Sequence, residues 1–237
     1  MINKKTLHIA CWKINGYKVK GYSKYSDPGF INHICNKDII CLLETHCPFQ
    51  ESLILPNFSA VHLSRPKNKK TNTISGGISV FVKSELKPGI ILLQHSNNDY
   101  IWIKLCKSFY GIQEDIYLCY LYNLLENSSS TQSLETDIFE IIENDIVDYS
   151  EKGKILIMGN LNARTGQESD FIENEEHDST IPLFDDYTPD FNIINRLSQY
   201  STVLPRGRLF NDICIQTGLR ILNGRCTGDL TRKFYMS

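Results

Sequence analysis

The sequence predicts an α/β protein in which two mixed β-sheets pack together with helices outside. Three observations carry this. Continuous apolar runs, such as Ile39 to Leu43 and Ile155 to Gly159, read as strands covered on both faces. One segment, Ser133 to Tyr149, has helical spacing at Leu134, Ile138, Ile141, Ile142, Ile146 and Val147. Other strand candidates follow one another without helices between them. The regular beat of a βα barrel is therefore absent, and two packed mixed sheets suit the pattern.

Taken in order, Leu7 to Ile14 reads as a first strand, closed by the turn signal Asn15-Gly16. Asp27-Pro28 starts a helix that carries Phe30, Ile31 and Ile34 on one side. Asp38 leads into the strand Ile39 to Leu43, which ends at Glu44-Thr45. Phe58 to Leu63 is a shorter strand, and Arg65 to Lys70 a basic loop. Gly76-Gly77 opens the strand Ile78 to Val82, followed by Tyr100 to Cys106 and Ile116 to Tyr122. In the helix Ser133 to Tyr149, Ser133 is the N-cap candidate, with Thr136 and Asp137 in the first turn. The strand Ile155 to Gly159 then ends in polar residues, Asn160 and Asn162. Gln167 to Asp190 is acidic and reads as an exposed loop. Gly207 to Thr217 reads as a helix ended by Gly218, and Arg220 to Leu222 as a short strand.

A chain of 237 residues can bury a sizeable core. We expect one domain spanning 1–237. The composition, 41% hydrophobic and 22% charged, is that of a soluble globular protein. A net charge of -2 gives no general attraction to nucleic acid, so such binding needs a local patch. Eight cysteines occur without a CxxC pair, mostly in apolar runs, and read as reduced core residues of an intracellular protein, nuclear or cytoplasmic. No stretch approaches the roughly 20 apolar residues of a membrane span, and no targeting segment or repeat is evident.

Several residues could carry chemistry. Glu44 ends a buried strand, where a carboxylate either holds a hard cation or is simply solvated. Tyr122 ends another strand and could donate to a phosphate oxygen, although Tyr is also an ordinary strand residue. Asn160 and Asn162 alternate, so both face one side; turn formation is the plainer use of each. The loop with Arg65, Lys67, Lys69 and Lys70 suits either a DNA backbone or solvent. His46 has no Asp or Ser partner identifiable by spacing.

Together these strand ends resemble the endonuclease/exonuclease/phosphatase family. The closest likeness is to the endonuclease domains of non-LTR retrotransposons, which are similar to apurinic/apyrimidinic endonucleases. Ile9-Ala10-Cys11-Trp12-Lys13-Ile14-Asn15-Gly16 looks like the first-strand motif, and Asp38 to His46 like the strand with the metal-binding Glu. Gly76-Gly77-Ile78-Ser79-Val80 looks like the glycine-pair strand, and Tyr122 falls on the active-site Tyr. Gly159-Asn160-Leu161-Asn162-Ala163-Arg164-Thr165 resembles the GDFNART signature, and Leu219 to Arg225 a later retroelement segment.

The resemblance implies a four-layer α/β sandwich of two mixed sheets flanked by helices. Its site would lie at one end, and its activity would be Mg2+-dependent hydrolysis of a DNA phosphodiester. Glu44 would hold the metal. Tyr122 and Asn162 would contact the phosphate, with Asn15 and Arg164 also on the substrate. DNA and the reverse transcriptase portion of the element are the implied partners, since the nick would prime reverse transcription.

The chain also departs from the family pattern. Lys13 stands where the family has a metal-site Asn. At roughly 4 Å its ammonium and a unit positive charge repel by several kcal/mol at an effective dielectric near 20. Lys13 therefore repels the metal, turns outward, or stands in for it. Asn160 stands at the catalytic Asp position; loss of a general acid–base group costs roughly 10²–10⁴-fold. Asn123-Leu124-Leu125 follows Tyr122 where prolines are common. The sequence ends at Ser237 without a Ser-Asp-His motif. We therefore expect a domain lacking its last strands, with impaired hydrolysis. A catalytically inactive DNA- or protein-binding remnant of the same fold is the alternative.

Overall fold

The computed structural model describes residues 6–19, 21–48, 51, 53–69, 71–93, 99–123, 137–171, 195–198 and 200–225. The chain divides into two compact units, Met1–Leu134 with Asp148–Leu161, and Glu135–Val147 with Asn162–Ser237.

The first unit holds two four-stranded sheets. In one, β1 (Ile9–Lys13) runs parallel to β4 (Ile39–Leu43), which is antiparallel to β6 (Ile78–Lys83), which is antiparallel to β5 (Phe58–Leu63). In the other, β10 (Lys154–Asn160) runs parallel to β9 (Ile116–Tyr122), followed antiparallel by β8 (Tyr100–Leu105) and β7 (Ile90–Leu92). A small hairpin of β2 (Lys18–Val19) and β3 (Tyr22–Ser23) stands apart. Both sheets are mixed, as the sequence predicts.

Strand alternation sorts the apolar residues into layers. Ile39, Cys41 and Leu43 of β4 join Ile78, Val80 and Val82 of β6 in a core shared with the other sheet. That sheet contributes Ile101, Ile103 and Leu105 of β8 with Leu118, Tyr120 and Tyr122 of β9. The opposite phase of the first sheet, Ile40, Leu42 and Phe81, packs on Phe30 and Ile34 of helix α1 (Pro28–Cys35). Asp27 caps α1 by accepting from the Gly29 and Phe30 amides, and Pro28 starts it. The opposite phase of the second sheet meets Tyr149, at the end of helix α3 (Ile138–Ser150). Its ring stacks on Tyr117 at 4.8 Å and meets Trp102 edge-on at 5.1 Å. A short helix α2 (Lys107–Tyr110) connects β8 to β9. The architecture is α/β, two mixed sheets with flanking helices.

In the second unit, Ile138, Phe139, Ile142 and Ile146 of α3 are buried. The Phe139 ring meets Phe210 of helix α4 (Pro205–Thr217). Arg206 lies 4.7 Å over the Phe139 ring and pairs with Asp137 at 3.0 Å. Gly207 is required there, because a Cβ would fall 1.9 Å from the Arg164 carbonyl oxygen.

Four sequence expectations change. Among the described residues the strand Ile155 to Gly159 lies at the edge of its sheet, with Ile155 to Met158 half-buried, and is not covered on both faces. Helix α4 begins at Pro205, two residues before the expected Gly207, with proline in its first turn; Gly218 ends it at φ 71° as expected. Arg220 to Leu222 forms no strand; the Ile221 amide donates to the Asp170 carboxylate at 2.6 Å instead of to a ladder. Asp170, expected in an exposed loop, is fully buried and held bidentately by Arg225 at 2.6 and 2.7 Å. Ser133, the expected N-cap, and residues 172–190 of the acidic run lie outside the described residues. No helix among the described residues is long and apolar enough to cross a membrane. The seven described cysteines are free thiols.

Gly159 sits in β10 at φ 155°, and a Cβ there would lie 1.9 Å from the Leu121 carbonyl oxygen of β9. Gly159→Ala therefore forces β10 off β9. We expect a loss of about 2–3 kcal/mol, within the range for mutations with a named steric cause, read as a fall in the urea midpoint. An unchanged midpoint contradicts this close approach.

Candidate functional site

Four strand ends meet at one end of the two sheets: β1 and β4 from one, β9 and β10 from the other. The parallel pairs make this possible, since their C-terminal ends point the same way. Lys13 closes β1, in phase with the inward residues Ile9 and Cys11 and in register with Leu43. Tyr122 closes β9 in the inward phase. Asn160 closes β10, in register with Tyr122 and in phase with the inward residues Leu156 and Met158.

Glu44 reaches the same end by breaking the alternation of β4. Simple alternation would send it outward with Leu42. Its φ is 54°, in the left-handed region that non-glycine residues rarely adopt. The flanking backbone holds this turn from both sides. The Ile14, Gly16 and Tyr17 amides donate to the Leu43, Glu44 and Thr45 carbonyls. The Thr45 and His46 amides donate to Gly77 and Gly76. Gly77, at φ 91°, leaves room for the Thr45 hydroxyl, which would lie 2.5 Å from any Cβ. The glycine pair thus has a steric role at this site.

The Glu44 carboxylate is buried, and two groups converge on its Oε1. The Tyr122 hydroxyl donates to it, and the Lys13 ammonium lies 3.0 Å away. Lys13 does not turn away from Glu44: its Nζ sits on the carboxylate and 6.0 Å from the Tyr122 ring centroid. The Arg65 guanidinium covers the same ring at 5.6 Å and pairs with Asp99, both nearly buried. The Asp99 carbonyl accepts from the Tyr122 amide at 2.7 Å, so this pair also braces the end of β9. Asn123, just after Tyr122, donates its backbone amide to the Asn160 carbonyl and its side chain to Leu161.

Burial, then the bond to Glu44, pushes the Tyr122 phenol well above its ordinary pKa, with Arg65 opposing. The phenol is therefore a donor at neutral pH. His46 is lowered, first by burial; Glu44 opposes, while Lys13, Lys24 and Arg65 add to the lowering. Its imidazole is neutral at pH 7.

The structure brings together three residues singled out in the sequence: Lys13, Glu44 and Tyr122. Asn160 lies beside Tyr122, and Asn15 is exposed in the turn after β1, at φ 52°. Asn162 and Arg164 belong to the second unit, where Asn162 is left-handed at φ 49° and Arg164 lies 5.6 Å over the Tyr200 ring. Sequence reasoning passed over Asp99 and read Arg65 only as a loop cation. Their pairing spans 34 residues and leaves no spacing signal.

A divalent cation on Glu44 does not suit this arrangement. An ammonium lies 3.0 Å from the carboxylate Oε1, and a phenol uses the same oxygen. Among the described residues no cluster of three His, Cys, Asp or Glu side chains is placed to hold a metal ion. An octahedral, oxygen-seeking ion such as Mg2+ would have to displace a like charge from Glu44.

No protein-family model matches the chain, and no curated protein matches it in sequence. Solved structures do show some likeness. The catalytic domain of Xenopus laevis APE2 has a TM-score of 0.48 at 13% identity, covering 72% of this chain and 62% of that one. An AP endonuclease from Archaeoglobus fulgidus gives 0.41 at 12%, covering 70% and 62%. TDP2 from C. elegans gives 0.39 at 13%, covering 67% and 48%. The likeness extends no further than the course of the chain.

Two outcomes follow from this geometry. Arg65→Met removes the guanidinium that pairs with the buried Asp99 carboxylate. Removing one member of such a pair costs about 3–5 kcal/mol, so the urea midpoint should fall sharply; no fall would show that the pair is solvated. The second outcome concerns alkaline pH. Tyr17, Tyr25, Tyr120 and Tyr122 are raised above the ordinary range, chiefly by burial, and Tyr110 is pushed up to about 12. A raised folded-state pKa gives stability that is complete below the ordinary value, about 10, and is lost as pH rises beyond it. Tyrosinate absorbance should therefore stay incomplete in the native protein and finish only on alkaline unfolding. Tyr122→Phe should shrink that late fraction by one phenol.

Proposed function

We propose that the chain is an endonuclease-type domain of a non-LTR retroelement, directed at the phosphodiester backbone of DNA, with hydrolysis impaired in this copy. The order of its motifs supports the family, and the meeting of Lys13, Glu44 and Tyr122 at one end of the two sheets supports the site. In this reading the domain spans 1–237. Tyr122 and Asn162 contact the phosphate, Asn15 and Arg164 the substrate strand, and Asn160 the water position. The reverse transcriptase portion of the element would use the resulting nick.

The observation that carries the impairment is the Lys13 ammonium 3.0 Å from Glu44. The resemblance calls for Mg2+ at this carboxylate, and the residues present do not suit it. Asn160 adds to the deficit, since an amide cannot take a proton from water as a carboxylate can. The same ion pair favours the second reading, a module that holds DNA without turning it over.

Nicking of supercoiled plasmid separates the two readings. The unmodified chain should stay at background with Mg2+. Lys13→Asn combined with Asn160→Asp should raise nicking by about 10²-fold or more, the scale of one restored general acid–base group. Brisk nicking by the unmodified chain refutes the impairment. A folded double variant that binds duplex DNA and still does not cut leaves the binding module as the function.

A further inference from the structure

Lys13 lies on an inward phase of β1 and ends opposite Leu43, the residue before Glu44. This register delivers its ammonium to Glu44 at the end of the strands. An ammonium has three N–H donors, and the approach to Oε1 uses one. The side chain of Lys13 is 47% exposed and that of Glu44 only 10%. The remaining donors therefore belong to a group that solvent reaches, while the carboxylate sits behind it. Among the described residues, the cations Lys13, Lys24 and Arg65 and the carboxylate Glu44 all act on His46 at this end of the sheets, and Arg65 is paired with Asp99. The balance favours an anion.

We propose that the Lys13 ammonium is the resident cation of this site. It keeps divalent metal off Glu44 and offers its free N–H groups to a phosphate oxygen, so that a DNA phosphodiester is held without a metal ion. The phosphodiester half rests on the function proposed above; the exclusion of metal does not. Tyr122 adds a neighbouring donor atom once its hydroxyl leaves Glu44, and Arg65 keeps its ring in place.

The experiment has two arms. In the first, Mn2+ binding is followed by electron paramagnetic resonance. The unmodified protein should show no site that Glu44→Gln removes. Lys13→Asn should gain one Mn2+ bound at least about tenfold tighter, a difference of about 1.4 kcal/mol, and Lys13→Asn with Glu44→Gln should lose it. In the second, a fluorophore-labelled DNA duplex is followed by anisotropy. The unmodified protein should bind it equally in EDTA and in Mg2+. Lys13→Asn should weaken binding about tenfold in EDTA and recover when Mn2+ is added. Lys13→Gln, which keeps a longer stem, replaces Lys13→Asn if thermal melting shows that variant unfolded. A Glu44-dependent Mn2+ site in the unmodified protein, or no gain in a folded Lys13 variant, overturns the exclusion of metal. Duplex binding that requires Mg2+ overturns metal-free holding. No duplex binding in either condition overturns the phosphodiester half together with the reading beneath it.

Discussion

A carboxylate turned into the gap between two sheets must find partners, and the site of this protein is organised around that need. Glu44 is sent inward by a left-handed residue at the end of β4. Left alone there, its charge would be far too costly to bury. Tyr122 crosses from the second sheet to donate to it, and Lys13 supplies the countercharge from the neighbouring strand. The backbone strain at Glu44 and the paired charges around it belong to one device. The turn is held by five amide–carbonyl bonds to flanking segments, so the strained geometry is set by the sheet rather than by the carboxylate's own contacts.

The second pair, Arg65 with Asp99, supports the first. Arg65 lies over the Tyr122 ring, and the Asp99 backbone carbonyl accepts from the Tyr122 amide. Gly76 lets this happen, because a Cβ there would come within 3.0 Å of three guanidinium atoms. The phenol is thus fixed by a cation over its ring, a strand on its backbone and a carboxylate on its hydroxyl. A group held from three directions suits a role in positioning, with little rotamer freedom left to lose on binding.

Much of this was legible in the sequence wherever a local rule governed. Phe58 to Leu63 and Ile116 to Tyr122 are strands with the expected bounds, each followed by a polar residue, Ser64 and Asn123. The three-residue strand Ile90–Leu92 carries too little pattern to be seen. Arg220 to Leu222 has the residues of a strand but joins no ladder among the described residues, and the Ile221 amide goes to a side chain. Asp170 lies in an acidic run whose composition suggests solvent, while its partner Arg225 is 55 residues away. The inward aim of Lys13 followed in principle from its phase with Ile9 and Cys11. What the sequence could not supply was the turn at Glu44 that gives the ammonium something to meet.

The two departures from the family motif are linked by charge. Against the pattern the sequence resembles, Lys13 replaces a neutral amide and Asn160 replaces a carboxylate. Each change makes the fixed charge more positive by one, so together they supply the charge of one divalent ion. In the proposed reading, a phosphate approaching this end of the sheets would meet the same total charge from side chains that a metal would otherwise supply. The chemistry is not restored with the charge. An ammonium does not lower the pKa of a bound water as a metal ion does, and an amide does not accept its proton. In the proposed reading, attraction for a phosphate would survive the exchange and activation of the nucleophile would not, so the site would hold a phosphodiester without cutting it.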